Sequence, residues 1–159
     1  MNIDIIAVGK IKERFFDEGI KEYLKRLKVY CNMRIIEVSD EKAPEKLSEK
    51  ERLEVMHSEG IKIMNKIRKG SFIITLCIEG KQFDSLEFAH YLENLSISGN
   101  PSITFIIGGS LGISEDIKNL SNLKLSFSKM TFPHQLMRLV LVEQIYRVFK
   151  IMKGEPYHK

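Results

Sequence analysis

The chain has 159 residues, 43% hydrophobic and 29% charged, with a formal net charge of +4. That is one ordinary domain spanning residues 1–159, with enough apolar material for one core and no room for a separate substrate domain. No apolar stretch approaches the roughly 18 residues needed to cross a bilayer. Met1 to Gly9 also lacks the basic start and small-residue cleavage site of an export signal.

Strand and helix patterns alternate along the chain. Asn2–Gly9 reads as a strand interrupted by Asp4, and Glu13–Tyr30 as an amphipathic helix with Phe16, Ile20, Tyr23, Leu24 and Leu27 at helical spacing. Met33–Val38 is a second strand. Lys42–Lys69 reads as a long charged helix entered at Pro44, ended by Gly70, with its charges on a solvated face. Ser71–Ile78 is a buried strand, Ser85–Leu95 a helix, and Gly99-Asn100-Pro101 a turn. Ile103–Ile107 is another buried strand, running into Gly108-Gly109-Ser110-Leu111-Gly112; Ser114 caps a short helix behind it. Leu123–Phe127 is the fifth strand, and the last helix runs from Pro133 to about Met152. Five strands alternating with helices predict an α/β domain with a mostly parallel sheet.

The last helix is apolar nearly all round, which predicts burial on two sides: the sheet on one, a second subunit on the other. Charge is uneven as well. Residues 129–159 carry Lys129, Arg138, Arg147, Lys150, Lys153 and Lys159 against Glu143 and Glu155, so the whole excess lies there. Such asymmetry points to an anionic partner, or to cations matched to a helix C-terminus. Cys31 and Cys77 are read as inert core thiols in a reduced, cytoplasmic protein. The four histidines are scattered without metal-ligand spacing, and no nucleophile elbow occurs, so no metal is expected.

The glycine loop follows a buried strand, where a ligand can approach the backbone closely. Its G-G-x-x-G spacing is not that of a dinucleotide fingerprint, and a plain tight turn is the competing reading. The ends of the third strand (Leu76–Gly80) and fifth strand (Phe127–Phe132) are also rich in small or polar residues. Ligands bind outside the carboxyl ends of strands in open α/β sheets, so these three ends together predict one pocket.

The segments FIIGGSLG, LSFSKMTFPHQLMRLVLVEQIYR, GEPYHK and VGKIKERFFDEGIKEYLKRL, in their order along the chain, resemble the RlmH family of SPOUT methyltransferases. The resemblance runs the whole chain length. It implies an α/β fold with a C-terminal trefoil knot, a homodimer, and S-adenosyl-L-methionine as cofactor. It implies methylation of N3 of a pseudouridine in 23S ribosomal RNA of assembled ribosomes. It places cofactor binding at Leu76, Gly108, Phe127, Ser128, Lys129, Met130, Thr131 and Phe132.

Methyl transfer needs positioning and the removal of one imide proton, and neither metal nor covalent nucleophile. Glu143, Arg147, Tyr157 and His158 are the candidate catalytic residues. Arg147 would bind phosphate or orient the base, Glu143 or His158 accept the proton, and Tyr157 stack on a nucleobase. An ordinary i,i+4 helix pair also explains Glu143 and Arg147, and His134 is read as a helix-start residue. The rival functions are a non-catalytic ribosome-binding module and an enzyme using another nucleotide.

Overall fold

A computed structural model describes residues 1–159. Five strands form one sheet in the order β2-β1-β4-β3-β5, every neighbouring pair parallel. The strands are β1 (Asn2–Val8), β2 (Asn32–Val38), β3 (Phe72–Lys81), β4 (Ser102–Ile107) and β5 (Leu123–Leu125). The helices are α1 (Arg14–Leu27), α2 (Glu49–Met64), α3 (Ser85–Ile97), α4 (Glu115–Leu120) and α5 (His134–Met152). The chain is thus α/β, as its alternating pattern predicts, and the sheet is wholly rather than mostly parallel.

The period of two along β1 assigns the helices to faces. Ile3, Ile5 and Ala7 point into the larger cluster, with Leu27 of α1, Phe88 and Leu92 of α3, and Leu141, Ile145 and Val148 of α5. Ile6 and Val8 point the other way, onto Ile63 of α2 and Ile117 of α4. Three helices therefore cover one face and two the other.

Asp4 shares the second face and is 1% exposed. Two arginines reach it from different elements: Arg34 gives it a bidentate pair at 2.8 Å, and Arg68 approaches at 3.0 Å. Burial alone would raise this carboxyl, but the two guanidiniums outweigh burial and hold it below its ordinary value. The interruption in the apolar strand is thus a charged tie between β1, β2 and the segment that joins α2 to β3.

Two boundaries and the burial of one helix differ from the sequence pattern. The helix expected to enter at Pro44 starts at Ser48, which closes a capping box with Glu51; residues 39–47 are irregular. That helix is also not purely a solvated face, because Glu59, Gly60 and Ile63 are buried. β3 continues to Lys81, and there the chain crosses itself closely. Leu125 pairs with both Leu76 and Lys81, and the Ser126 amide donates to the Lys81 carbonyl. A β-carbon on Gly80 would lie 2.6 Å from the Leu125 carbonyl carbon, so only glycine fits that crossing.

Helix α5 packs between α1 and α3 against the sheet, with Leu141, Val142, Ile145, Val148 and Phe149 buried. Much of its apolar circumference is covered inside one subunit, more than its sequence suggests. Leu136, Leu139 and Val140 remain half-exposed.

Asp4→Asn should destabilise the fold by on the order of 2 kcal/mol, read from urea denaturation, since charged hydrogen bonds are lost and two guanidiniums lose their counter-ion. The pH dependence has a fixed sign. A carboxyl lowered on folding stabilises fully above its ordinary value of 3.8 and loses that contribution as pH falls through the native value. The variant should lose that part of the acid dependence.

Candidate active site: a cavity at the carboxyl ends of three strands

The carboxyl ends of β3, β4 and β5 open into a cavity of about 680 Å³, within the range of small-molecule sites. Leu76–Glu79 form one wall, Ile107–Ile113 the second, and Leu125–Ser128 with Met130–His134 the third; Met137 closes it from α5. All three strand ends singled out in the sequence meet here. Of the eight residues assigned to the cofactor, Leu76, Gly108, Phe127, Ser128, Met130, Thr131 and Phe132 line the cavity. Lys129 belongs to the same run, but its exposed side chain is not in the lining.

The third wall has an unusual backbone. Residues 127–132 lie in neither helix nor strand. The Met130 amide donates to the Ser128 hydroxyl, and the Ser128 carbonyl accepts from Ser126; the other peptide groups of the run form no hydrogen bond within the protein. Peptide groups at a concave surface need partners, and a ligand or water must supply them. Half of the cavity's 22 lining residues are hydrophobic, so the site suits a molecule with an apolar ring and a few polar edges.

The glycine loop is a turn closed on itself. Gly112, at φ +92, gives its amide to the Gly109 carbonyl at 3.1 Å. A β-carbon on Gly108 would stand 2.7 Å from both carbonyl atoms of Gly112 and from Cγ1 of Ile113. Gly108 is therefore required by the turn itself, quite apart from any ligand. Beneath the loop sits Glu59, 4% exposed, with Oε1 accepting from the Glu41 amide and Oε2 without a partner. Burial raises this carboxyl. Its charged parent helix gave no sign of it in the sequence.

The remaining titratable groups of the cavity are few. Lys118 is salt-bridged to Glu79, which that pairing holds below its ordinary value. Burial raises the thiol of Cys77, which lines the cavity. Burial pushes Cys31, far from the cavity, up to about 11, so neither cysteine is a ready thiolate. His134 stands at the mouth near β1: a β-carbon on Gly9 would lie 3.6 Å from its Nε2. No group of His, Cys, Asp or Glu is arranged to hold a metal ion, and no helix is long and apolar enough to cross a membrane.

Glu143, Arg147, Tyr157 and His158 come together, but elsewhere. Arg147 bridges to Glu143 at 2.6 Å and lies over the Tyr157 ring, 4.8 Å from its centre. The Tyr157 hydroxyl donates to Glu143 at 3.1 Å and lies 3.2 Å from the Tyr23 hydroxyl. Burial, then Tyr23 and Glu143, push this phenol upward. His158 Nδ1 lies 3.4 Å from Arg147 and accepts its hydrogen, since a guanidinium can only donate. Lys150 and Tyr30 both hold Glu155. The tail is latched to α1 and α5. Glu143 and Arg147 follow His134 by roughly 14 and 20 Å along α5, at 1.5 Å per residue. Cavity and tail cluster are thus separate within one subunit.

The basic C-terminal excess also looks different in three dimensions. Arg138, Arg147 and Lys150 are ion-paired to Glu37, Glu143 and Glu155. Lys129, Lys153 and Lys159 are left exposed, without a salt bridge. Gly108→Ala should lower stability by about 1–3 kcal/mol in chemical denaturation, because backbone must move to admit the methyl group. An unchanged midpoint would mean that the loop opens freely.

Residues 1–158 match the family model described as "Predicted SPOUT methyltransferase". The chain is 57% identical to proteins named "Ribosomal RNA large subunit methyltransferase H" from Enterococcus faecalis and Clostridium beijerinckii, covering all of each chain. A protein of the same name from Bacillus cereus is equally similar over its whole length. Among solved structures, a probable methylase family protein from Haemophilus influenzae Rd KW20 shares the fold, with a TM-score of 0.56 over 99% of this chain and 70% of that one, at 11% identity. With its parallel sheet and a cavity built from the carboxyl ends of three strands, the chain belongs to the SPOUT methyltransferases, and within them to the RlmH family.

Proposed function

We propose that the chain transfers a methyl group from S-adenosyl-L-methionine to N3 of a pseudouridine in 23S ribosomal RNA, acting as a cytoplasmic homodimer on assembled ribosomes. The observation that carries this reading is the cavity: apolar walls beside a run of peptide groups left without protein partners. Such a site can hold a purine by its edges and the cofactor's aliphatic carbons by apolar contact, without a charged signature. Full-length relatives at 57% identity that are named as ribosomal RNA methyltransferases support the substrate class. The cofactor, when bound, supplies an electrophilic methyl group on a sulfonium sulfur.

Leu76, Gly108 and residues 127–132 would hold that cofactor, with Lys129 at the rim facing RNA. Within a single domain of residues 1–159, the segment after β5 is the part that the family's trefoil knot would thread. The close crossing of Gly80 by Leu125 supports that placement. Glu143, Arg147, Tyr157 and His158 would grip the RNA. Arg147 would hold a phosphate or the target base, and Tyr157 and His158 would pack against nucleotides. Glu143 is occupied by Arg147, Tyr157 and Gln144, so it serves as a tether.

The separation of tail and cavity along α5 supports the dimer. In a two-fold pair the tail of one subunit can face the cavity of the other, which no single subunit achieves. Sedimentation at micromolar concentration should give a species of twice 18.4 kDa. A stable monomer would overturn this arrangement.

Deleting residues 157–159 should leave the fold and the calorimetric affinity for S-adenosyl-L-methionine unchanged. Methyl incorporation into ribosomes should fall by on the order of a hundredfold, the size of a misplaced reactant. With a net charge of only +4, the protein should find naked 23S RNA a poor acceptor at physiological salt. Equal rates on naked RNA and ribosomes, or full activity of the truncated chain, would count against these roles. Calorimetry that detects NAD and no S-adenosyl-L-methionine would overturn the reaction itself.

A further inference from the structure

We infer that His134 is the catalytic base of the methyl transfer, taking the imide proton from the substrate nucleobase at the mouth of the cavity. This rests on the methyltransferase reading above.

Within one subunit the cavity lining offers no other base. Of its titratable lining groups, Glu79 is neutralised by Lys118, Lys118 is a cation, and Cys77 is a thiol held protonated by burial. His134 lines the same cavity as the first residue of α5, beside Phe132, Pro133 and Met137. No protein group donates to or accepts from its ring, unlike His57 and His158, which face Asp116 and Arg147. A half-buried imidazole with free ring nitrogens beside a cavity is equipped to bind a group that the protein lacks.

Its position is fixed from several sides. One helical turn further on, Arg138 is 1% exposed, bridged to Glu37 at 2.6 Å and donating to the Gly9 carbonyl at 3.1 Å. The neighbouring Gln135 side chain accepts from the amides of Lys12 and Glu13. Those contacts pin the start of α5 against the ends of β1 and β2. Gly9, at φ +84, lies directly beside the ring, where a β-carbon would be in ordinary contact with Nε2 at 3.6 Å.

The charged groups around the ring keep it neutral. Burial first, then Arg138 on α5, lower His134 below the ordinary 6.5; Asp40, from the segment after β2, pulls upward, and Lys12, from the β1–α1 loop, adds to the lowering. The positive end of α5 acts in the same sense. The base is therefore unprotonated at neutral pH, the form that catalysis needs.

The step balances without further reagents. The N3–H proton passes to a ring nitrogen of His134. The electron pair left on N3 forms the new bond to the methyl carbon, and the carbon–sulfur bond breaks with its pair kept on sulfur. The imidazolium then returns the proton to water. Lys10 and Lys12, in the exposed loop beside the ring, would stabilise the negative charge that approaches with the RNA.

The test uses full-length His134→Gln and His134→Ala, with His90→Gln, exposed on α3 away from cavity and tail, as control, in single-turnover methylation of ribosomes at saturating S-adenosyl-L-methionine. Both His134 variants should keep the calorimetric affinity within about threefold and lose on the order of a hundredfold in rate. Wild-type and His90→Gln rates should rise with pH through an acid limb below 6.5 and then level. The His134 variants should lack that limb, and added imidazole should restore part of the His134→Ala rate. A retained acid limb, a rate within threefold of wild type, or a loss of cofactor affinity that matches the loss of rate would each overturn the role of His134. Should Gln prove misfolded by circular dichroism, absence of imidazole rescue in a folded Ala variant overturns it equally. A wild-type chain that neither binds the cofactor nor methylates ribosomes would instead sink the methyltransferase reading, and this inference with it.

Discussion

A buried guanidinium sets where the last helix begins. Arg138 reaches across the carboxyl edge of the sheet to the Gly9 carbonyl at the end of β1 and to Glu37 at the end of β2. Everything on the third wall of the cavity depends on that anchor. The irregular run of residues 127–132 spans the gap between Ser126, tied to the end of β3, and α5, tied to β1 and β2. With both ends fixed to different strands, the run can stay without secondary structure and still hold its peptide groups in place. A buried charge is costly unless paired, so this contact offers few alternative positions for the helix.

The division of labour between the two ends of the sheet follows. The amino end carries Asp4 with Arg34 and Arg68, an ion cluster whose carboxylate is fully used by protein. The carboxyl end carries groups left unused: open peptides in residues 127–132 and an unbonded imidazole at His134. Saturated polar groups hold a fold together, and unsaturated ones at a concave surface await a ligand. This asymmetry supports placing the proposed chemistry at the carboxyl end of the sheet.

The fold was largely legible in the sequence because apolar strands such as Ile103–Ile107 and Ser71–Ile78 leave little choice of period or burial. Boundaries failed where local capping overrode pattern: Ser48 with Glu51 beats Pro44 as a helix start. The convergence of Leu76, Gly108 and the Phe127–Phe132 run was readable because strand ends of a parallel sheet share one edge. Less visible were contacts between distant segments. Glu59 looks like one more charge on a charged helix, yet it lies under the glycine loop. His134 looks like a helix-start residue, and only its placement over Gly9 gives it a cavity to face. The basic tail misled in the opposite direction, since three of its six cations are internally paired.

The order in which this chain is made adds a constraint of its own. β1 is synthesised first but is an interior strand of the sheet, paired with β4 about a hundred residues later. The large cluster on its inner face closes only when α5 arrives, and α5 is the last element of all. A nascent chain therefore holds half a cavity, with an uncovered apolar sheet face, until α5 has emerged and folded against it. Ligand binding must wait for that helix to dock.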